Sequence, residues 1–124
     1  MSNMIEYLNF IKTKGRPVTE INPGSDEYAL ECSDAYHALD LLKENKTIVL
    51  GGDIFTEDEC GELVYAYQLW GQEYHYLNWY CDKILNESDT GYLKRSHEVA
   101  RASISKANDI AESLKKKCLI VFVI

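Results

Sequence analysis

The stretch Thr47–Trp70 has the sequence TIVLGGDIFTEDECGELVYAYQLW, and it decides the fold class. Its first part, Thr47–Phe55, combines β-branched and apolar residues and predicts a strand. Its last part, Glu62–Trp70, places leucines and tyrosines at alternate positions, which is typical of a half-buried strand. The acidic segment Thr56–Gly61 separates the two and predicts a turn. Together the three parts predict an antiparallel hairpin.

Gly51 and Gly52 interrupt the first of these strands. Glycines inside a strand indicate either a bulge or a close backbone approach. With Asp53 they also resemble the G-G-D motif of nucleotide cyclases, but the following Ile54 and Phe55 supply no second acid for a metal ion. The sequence therefore favours a structural role for the two glycines.

The segments before the hairpin are predicted to be mainly helical. They are a short helix over Met4–Lys14, a loop over Arg16–Ser25, a helix-leaning segment over Asp26–Cys32, and a helix that ends near Asn45. Ser33 or Asp34 is the expected cap of the last helix, whose apolar residues recur with helical spacing.

The segments after the hairpin complete the predicted architecture. Gly71–Asp82 is dense in aromatic residues and predicts a short third strand or an ordered loop. A long helix is predicted from Ser88 or Asp89 to about Lys116. Its apolar stripe is Leu93, Ala100, Ile104, Ala107, Ala111 and Leu114. Cys118–Ile124 (CLIVFVI) predicts a central strand that is buried on both faces.

Strands and helices do not alternate strictly along the chain, so the predicted class is α+β. We expect a single domain over residues 1–124, with a small sheet that contains the hairpin and the C-terminal strand and packs against two or three helices. A length of 124 residues is enough for one ordinary core.

Charge and hydropathy narrow the class of protein. The chain has 13 basic and 20 acidic residues, a net charge of −7. This balance argues against nucleic acid as a direct ligand, because lysine and arginine dominate phosphate binding. No apolar run approaches the roughly 20 residues of a membrane helix, and Glu6 lies where a secretory signal would be apolar. These features predict a soluble, cytoplasmic protein.

The cysteines, Cys32, Cys60, Cys81 and Cys118, lack the spacing of a zinc site. Two disulfides remain possible in principle, but reduced thiols are favoured in a protein without a secretory signal. No phosphate-binding glycine motif is present, so the sequence predicts neither a metal nor a cofactor.

Three histidines, His37, His75 and His97, are the candidates for acid–base chemistry. No serine or cysteine near them has a recognisable nucleophile motif. Solvated or core-edge histidines are therefore favoured. The alternative is a small hydrolase that uses His75 or His97 with a nearby carboxylate.

The acidic residues are concentrated in one part of the chain, since residues 26–62 carry two basic and eleven acidic side chains. The hairpin acids form either a solvated loop or a negative patch that meets a basic partner. The aromatic residues of Gly71–Asp82 either anchor such an interface or pack over the helices.

Several segments resemble the immunity protein 40 family of bacterial polymorphic toxin and contact-dependent inhibition systems. The matching segments are 24–32 (GSDEYALEC), Asp34-Ala35, Ala38-Leu39, 41–45 (LLKEN), 48–55 (IVLGGDIF), 76–82 (YLNWYCD) and Tyr92-Leu93 with Ser96. The resemblance spans roughly residues 22–116. Two features depart from the family pattern: Leu77 stands where an aspartate is expected, and Val64–Tyr74 is longer than the usual link.

The resemblance implies a non-enzymatic inhibitor that binds the C-terminal domain of a cognate toxin, often a nuclease. A generic protein-interaction adaptor is a further alternative. The residues predicted to contact the toxin are Asp53, Glu57, Asp58, Glu59, Glu62, Tyr74, Tyr76, Asn78, Tyr80 and Asp82. The residues predicted to be structural are Gly51, Gly52 and Trp79.

Overall fold

A computed structural model describes residues 3–124, which form four α-helices and a six-stranded sheet. The helices are α1 (Asn3–Lys14), α2 (Cys32–Glu44), α3 (Ala66–Trp70) and α4 (Asp89–Leu114). The strands are β1 (Arg16–Pro17), β2 (Tyr28–Glu31), β3 (Gly51–Glu57), β4 (Leu63–Tyr65), β5 (Trp79–Tyr80) and β6 (Leu119–Val123). Short 3₁₀ segments cover Val18–Glu20 and Gln72–Leu77. This mixture confirms the α+β class.

The sheet is antiparallel, with the strand order β1-β2-β6-β3-β4, and β5 also pairs with β3. β6 lies between β2 and β3, and Leu119–Phe122 are buried, so the prediction of a central C-terminal strand is confirmed. The register between β3 and β6 runs without interruption from Gly51 opposite Val123 to Phe55 opposite Leu119. The two glycines therefore form no bulge against β6.

The close backbone approach predicted at the glycines is present. A Cβ atom on Gly52 would overlap the six-membered ring of the Trp79 indole, and one on Gly51 would overlap the Trp79 carbonyl oxygen. The absence of both side chains lets β5 pair with β3 at this point. Trp79 also packs edge-to-face on Phe122, with ring centroids 6.3 Å apart.

The helix-leaning prediction for Asp26–Cys32 is wrong, because Tyr28–Glu31 forms strand β2. Leu30 pairs with Ile120 of the central strand, and this long-range pairing overrides a weak local preference. The predicted caps Ser33 and Asp34 are also wrong. α2 begins at Cys32 directly after the strand, and no side chain caps it.

The strand predicted over Glu62–Trp70 is correct only for Leu63–Tyr65, and the chain continues as helix α3. β4 is short because it shares one edge of β3 with β5. β4 pairs with the last three residues of β3, whereas β5 pairs with Gly51 and Gly52. A longer β4 would have to occupy the place that β5 takes. The predicted strand over Thr47–Phe55 likewise begins only at Gly51 and extends to Glu57.

The helix predictions at the two ends of the chain agree with the structure. In α4, Ser88 is the N-cap, and its side chain accepts a hydrogen bond from the Gly91 amide at 3.0 Å. Ala100, Ile104, Ala107 and Ala111 of the predicted stripe are buried.

All four cysteines are unpaired, with the Cys32 thiol directed at the Cys118 carbonyl oxygen at 3.8 Å.

The sheet has a helix-covered face and a face without helices. The main core, to which Ile54 contributes, lies between the sheet and helices α1, α2 and α4. On the opposite face, Phe55 belongs to a smaller apolar cluster. Its members are Val18, Ala29, Phe55, Leu63, Leu119 and Val121. We call this second face the open face, because it positions the candidate site.

Candidate functional site

Alternation along the strands decides which side chains lie on the open face. Asp53 and Glu57 share a side of β3 with Phe55 of the smaller cluster. Tyr80 and Val123 are paired with Gly51 from the two neighbouring strands, so their side chains lie on the same face of the sheet as Asp53. The open face therefore combines two carboxylates with exposed tyrosine and valine side chains.

One end of the open face is closed by ion pairs. Arg16 of β1 donates hydrogen bonds to Glu20, to Glu57 and to the Gly61 carbonyl oxygen. Lys117 lies 3.4 Å from the second oxygen of Glu57. The Arg16–Glu57 contact reaches across the two intervening strands β2 and β6. Glu57, which the sequence offers as a toxin contact, already has two cationic partners.

The hairpin turn holds the other predicted acids. Asp58 accepts hydrogen bonds from the amides of Cys60 (2.8 Å) and Glu62 (2.9 Å), so its carboxylate shapes the turn. The side chains of Glu59 and Glu62 are exposed. In the structure of residues 3–124, the carboxylates of Glu59 and Glu62 at this turn form no hydrogen bond and no ion pair.

Asp53 and Glu27 form the acidic centre at the other, open end of the face. Both are half-buried. Burial raises the pKa of Asp53, and His75 opposes this shift. Burial also raises the pKa of Glu27, and the negative charges of Asp53 and Asp26 raise it further. These carboxyl groups therefore repel one another, and no lysine or arginine within residues 3–124 forms an ion pair with them.

Aromatic side chains border this acidic centre. Tyr65 and Tyr67 have ring centroids 5.7 Å apart, and Tyr67 packs edge-to-face on His75 at 4.5 Å. Burial raises the pKa of the Tyr65 hydroxyl, and the charge of Asp53 adds to the shift. The border therefore consists of hydroxyl groups and aromatic rings. A cation placed here would contact both carboxylates and π faces.

A groove continues the acidic centre toward α1. It has a volume of about 230 Å³ and lies between α1 and the ends of β2 and β6. Its lining includes Tyr7, Leu8, Asp26, Glu27, Val123 and Ile124. Burial and the nearby Glu27 carboxylate raise the pKa of Tyr7 to about 12.

The sequence analysis missed the residues of this groove. Asp26 and Glu27 fall in the segment interpreted as helix-leaning. Had Tyr28–Glu31 been interpreted as a strand, alternation would have placed Glu27 on the same side as Ala29. Val123 and Ile124 were predicted to be core residues but are exposed, because β6 ends at the rim of the sheet.

The remaining predicted contact residues lie elsewhere. Tyr74 packs edge-to-face on Trp70 beside the main core. Tyr76 lies under the Lys106 ammonium group of α4, 5.5 Å from the ring centroid. The Asn78 side-chain oxygen accepts the Ile54 amide hydrogen bond at 2.7 Å, between the segments that β4 and β5 occupy along β3. Asp82 is exposed, and its backbone oxygen accepts from Arg95. The fold does not bring these residues together into one surface.

The histidines do not form an assembled acid–base pair within the described residues. His97 is buried and its Nε2 atom lies 2.7 Å from the Thr47 carbonyl oxygen. Burial lowers its pKa. His37 stacks on Phe10, and His75 packs on Tyr67. None of the three is hydrogen-bonded to a carboxylate, a serine or a cysteine in residues 3–124.

No helix in residues 3–124 has the length and apolar character needed to span a bilayer. In the same residues, no group of three or more histidine, cysteine, aspartate or glutamate side chains is placed to hold a metal ion.

Comparison with known protein families gives a match that covers most of the chain. The family described as Immunity protein 40 matches residues 17–124, which include all six strands except the first residue of β1. The chain belongs to the immunity protein 40 family. This confirms the resemblance seen in the sequence and extends it through the C-terminal strand. Comparisons with curated proteins and with solved structures found no significant match.

Within this immunity protein, the family match covers the whole open face. Glu27, Asp53, Tyr80 and Val123 all lie inside the matched range, whereas all of α1 and Arg16 lie outside it. An immunity family implies a toxin partner, and a partner requires a surface. Of the surfaces described above, the open end of the sheet combines unpaired acids, exposed apolar side chains and a groove.

Proposed function

We propose that this immunity protein binds a cognate toxin domain in a stoichiometric complex and blocks the toxin without catalysis. The observation that carries the proposal is the family match over residues 17–124. The absence of an assembled histidine–carboxylate or histidine–nucleophile pair among the described residues agrees with inhibition by binding.

We propose further that the toxin domain is a nuclease. Nuclease surfaces that bind phosphates are rich in lysine and arginine. A protein with a net charge of −7 can occupy such a surface, and complementary charge accelerates association while it disfavours other partners. The complex would form in the cytoplasm, where a nuclease meets its substrate.

The geometry supports some of the predicted contact residues as candidates for the toxin interface and argues against others. Among those predicted from sequence, Asp53 and Tyr80 lie on the open face, and Glu59 and Glu62 are exposed at the hairpin turn. Asp58 and Asn78 make hydrogen bonds to backbone amides, and Glu57 forms ion pairs, so we assign these three to the support of the fold.

Co-expression tests the proposed function. The toxin domain encoded beside the gene is expressed in bacteria with and without this protein. Growth is expected only when both are present, and the purified proteins are expected to form one peak on gel filtration. Failure to protect, together with failure to form a complex, would refute the proposal.

Titration separates an inhibitor from an enzyme. If the protein acts by blocking, toxin activity falls linearly and reaches zero near one equivalent. If it acts as a hydrolase, a small fraction of an equivalent suffices, and His75→Ala or His97→Ala abolishes the effect. We expect stoichiometric inhibition that survives both substitutions.

A further inference from the structure

The first observation is a concentration of negative charge that no lysine or arginine among residues 3–124 neutralises by an ion pair. Glu27 interacts unfavourably with Asp53 and with Asp26, a hydrogen bond with Ser25 offsets part of this, and Glu27 and Asp53 are half-buried. Removing a carboxylate from water without a cation is unfavourable. Within residues 3–124 only His75 offsets the charge of Asp53, and it does so through space rather than by a hydrogen bond. The free protein therefore maintains an arrangement that a cation from outside would stabilise.

The second observation is independent of charge. Four large apolar side chains are exposed beside these acids: Leu50 is 42% exposed, Tyr80 80%, Val123 37% and Ile124 44%. Val123 and Tyr80 lie on the open face, on either side of Gly51. Leu50 and Ile124 are their neighbours at the same rim of the sheet, where the Leu50 amide donates to the Val123 carbonyl oxygen at 2.8 Å. Exposed apolar surface that is bordered by polar residues marks protein–protein interaction sites. Tyrosine is also among the residues enriched at the energetic centres of interfaces.

The third observation is the shape of the surface. The groove between α1 and β6 has a volume of about 230 Å³, and Glu27 and Asp26 line it together with Val123 and Ile124. At roughly 30 Å³ per water molecule, this volume equals about seven or eight waters. One long side chain with a charged end group fits such a space. The apolar lining suits its methylene groups, and the carboxylates suit its charge.

We propose that the open end of the sheet is the docking surface for the toxin, and that a lysine or arginine side chain of the toxin occupies the groove beside Glu27. Asp26 and Asp53 flank this cation, and apolar toxin residues cover Tyr80 and Val123. This inference rests on the proposed function, since it names the surface by which the toxin is bound. It assigns the hairpin-turn carboxylates Glu59 and Glu62 to the rim, where they steer association but add little affinity.

Binding measurements with matched variants test the inference. The partner is the adjacent-gene toxin domain, inactivated by substitution of a catalytic residue, and the dissociation constant is measured by calorimetry. The test variant is the double substitution Glu27→Gln with Asp53→Asn. The control, Glu59→Gln with Glu62→Gln, removes the same charge from the exposed turn.

We expect the test variant to bind at least about 30-fold more weakly, because it leaves a desolvated toxin cation without its partners. The control is expected to change the dissociation constant by less than about threefold and to act mainly on the association rate. Tyr80→Ala is expected to weaken binding about tenfold, whereas Tyr76→Ala on the opposite side is expected to have no effect. Thermal unfolding of each variant verifies that the loss does not arise from misfolding.

These binding measurements separate a failure of the inferred docking surface from a failure of the proposed function. If the unmodified protein does not bind the toxin, both the proposed function and this inference fail. If it binds but the test variant binds equally well, only this inference fails. A weaker complex for the turn control than for the test variant would assign the interface to the hairpin. A dimer of the free protein that Tyr80→Ala dissociates would assign the surface to a second copy of the chain.

Discussion

The side chains of β3 have different surroundings on the two faces of the sheet. On the helix-covered side of β3, Ile54 is 1% exposed in the main core, and the buried Thr56 hydroxyl donates to the Lys117 carbonyl oxygen at 2.7 Å. On the open side, Asp53 is half-buried near Glu27, and no lysine or arginine among the described residues forms an ion pair with either. Adjacent residues of β3 thus have different roles: Ile54 is packed in the main core, whereas Asp53 carries a charge on the open face. The covered face stabilises the fold, and the open face retains an unfavourable charge arrangement that a partner can relieve.

The largest effect should come from the covered face. Ile54→Ala removes a fully buried side chain at the junction of the sheet and helices and is expected to lower the free energy of unfolding by about 2–5 kcal/mol. Val123→Ala on the open face removes a partly exposed side chain of similar size and is expected to cost less than about 1 kcal/mol. Urea unfolding measures both. Equal losses would contradict the division into a stabilising face and a binding face.

The contact between Gly52 and Trp79 should give the next largest effect. Gly52→Ala places a methyl group where the indole ring lies, so β5 must move away from β3. We expect a loss of about 1–3 kcal/mol, typical of overpacking. Gly24→Ala is the matched control, because a Cβ at that position meets no atom within 4 Å. Near-UV circular dichroism of the two variants should show a displaced tryptophan only for Gly52→Ala.

Asn78 offers a prediction about the open edge of β3. Its side-chain oxygen satisfies the Ile54 amide between the segments paired with β4 and β5. Asn78→Ala leaves that amide without its acceptor and is expected to cost about 1–3 kcal/mol. Asn78→Asp keeps an acceptor oxygen and should restore most of the loss. If the aspartate variant is as unstable as the alanine variant, the hydrogen bond is not the reason for the effect.

The sequence was informative where local signals act alone. Ser88 marks the start of α4, the apolar run Cys118–Ile124 marks the central strand, and the adjacent glycines mark a close approach. It was misleading where pairing between distant segments decides. Tyr28–Glu31 becomes a strand because β6 offers it an edge, and β4 stops at Tyr65 because β5 occupies the rest of β3.

The candidate site shows the same limit. Asp53 and Tyr80 were identified from composition and the family resemblance, but Glu27 was not, since its position depends on the strand that follows it. The hairpin acids looked equivalent in the sequence. Only the fold shows that Glu57 is paired with Arg16 and Lys117 and that Asp58 holds the turn together.

The smallest predicted effect is also the most direct test of the strain on the open face. The pKa values of Asp53 and Glu27 are raised in the folded protein, so the folded state binds these protons more tightly than the unfolded state does. The protonated carboxyl groups therefore stabilise the folded state at low pH, and this contribution to the free energy of unfolding is lost as the pH rises through the raised pKa values. Substitution by the uncharged amides, Asp53→Asn and Glu27→Gln, should raise stability at pH 7 by less than about 1 kcal/mol each, and the gain should disappear near pH 3.

Glu87 should show the opposite pH dependence of stability in the same molecule. Hydrogen bonds from Arg95 and the Ile84 amide lower its pKa to about 2, so its contribution is present at neutral pH and is lost as the pH falls toward that value. Glu87→Gln should therefore destabilise the protein at pH 7, and the loss should shrink on acidification. Urea unfolding of the three variants at about pH 3, 5 and 7 gives the comparison. If the open-face amides destabilise the protein at pH 7 as Glu87→Gln does, the carboxylates of the open face are already compensated in the free protein, and no toxin cation is needed to explain their arrangement.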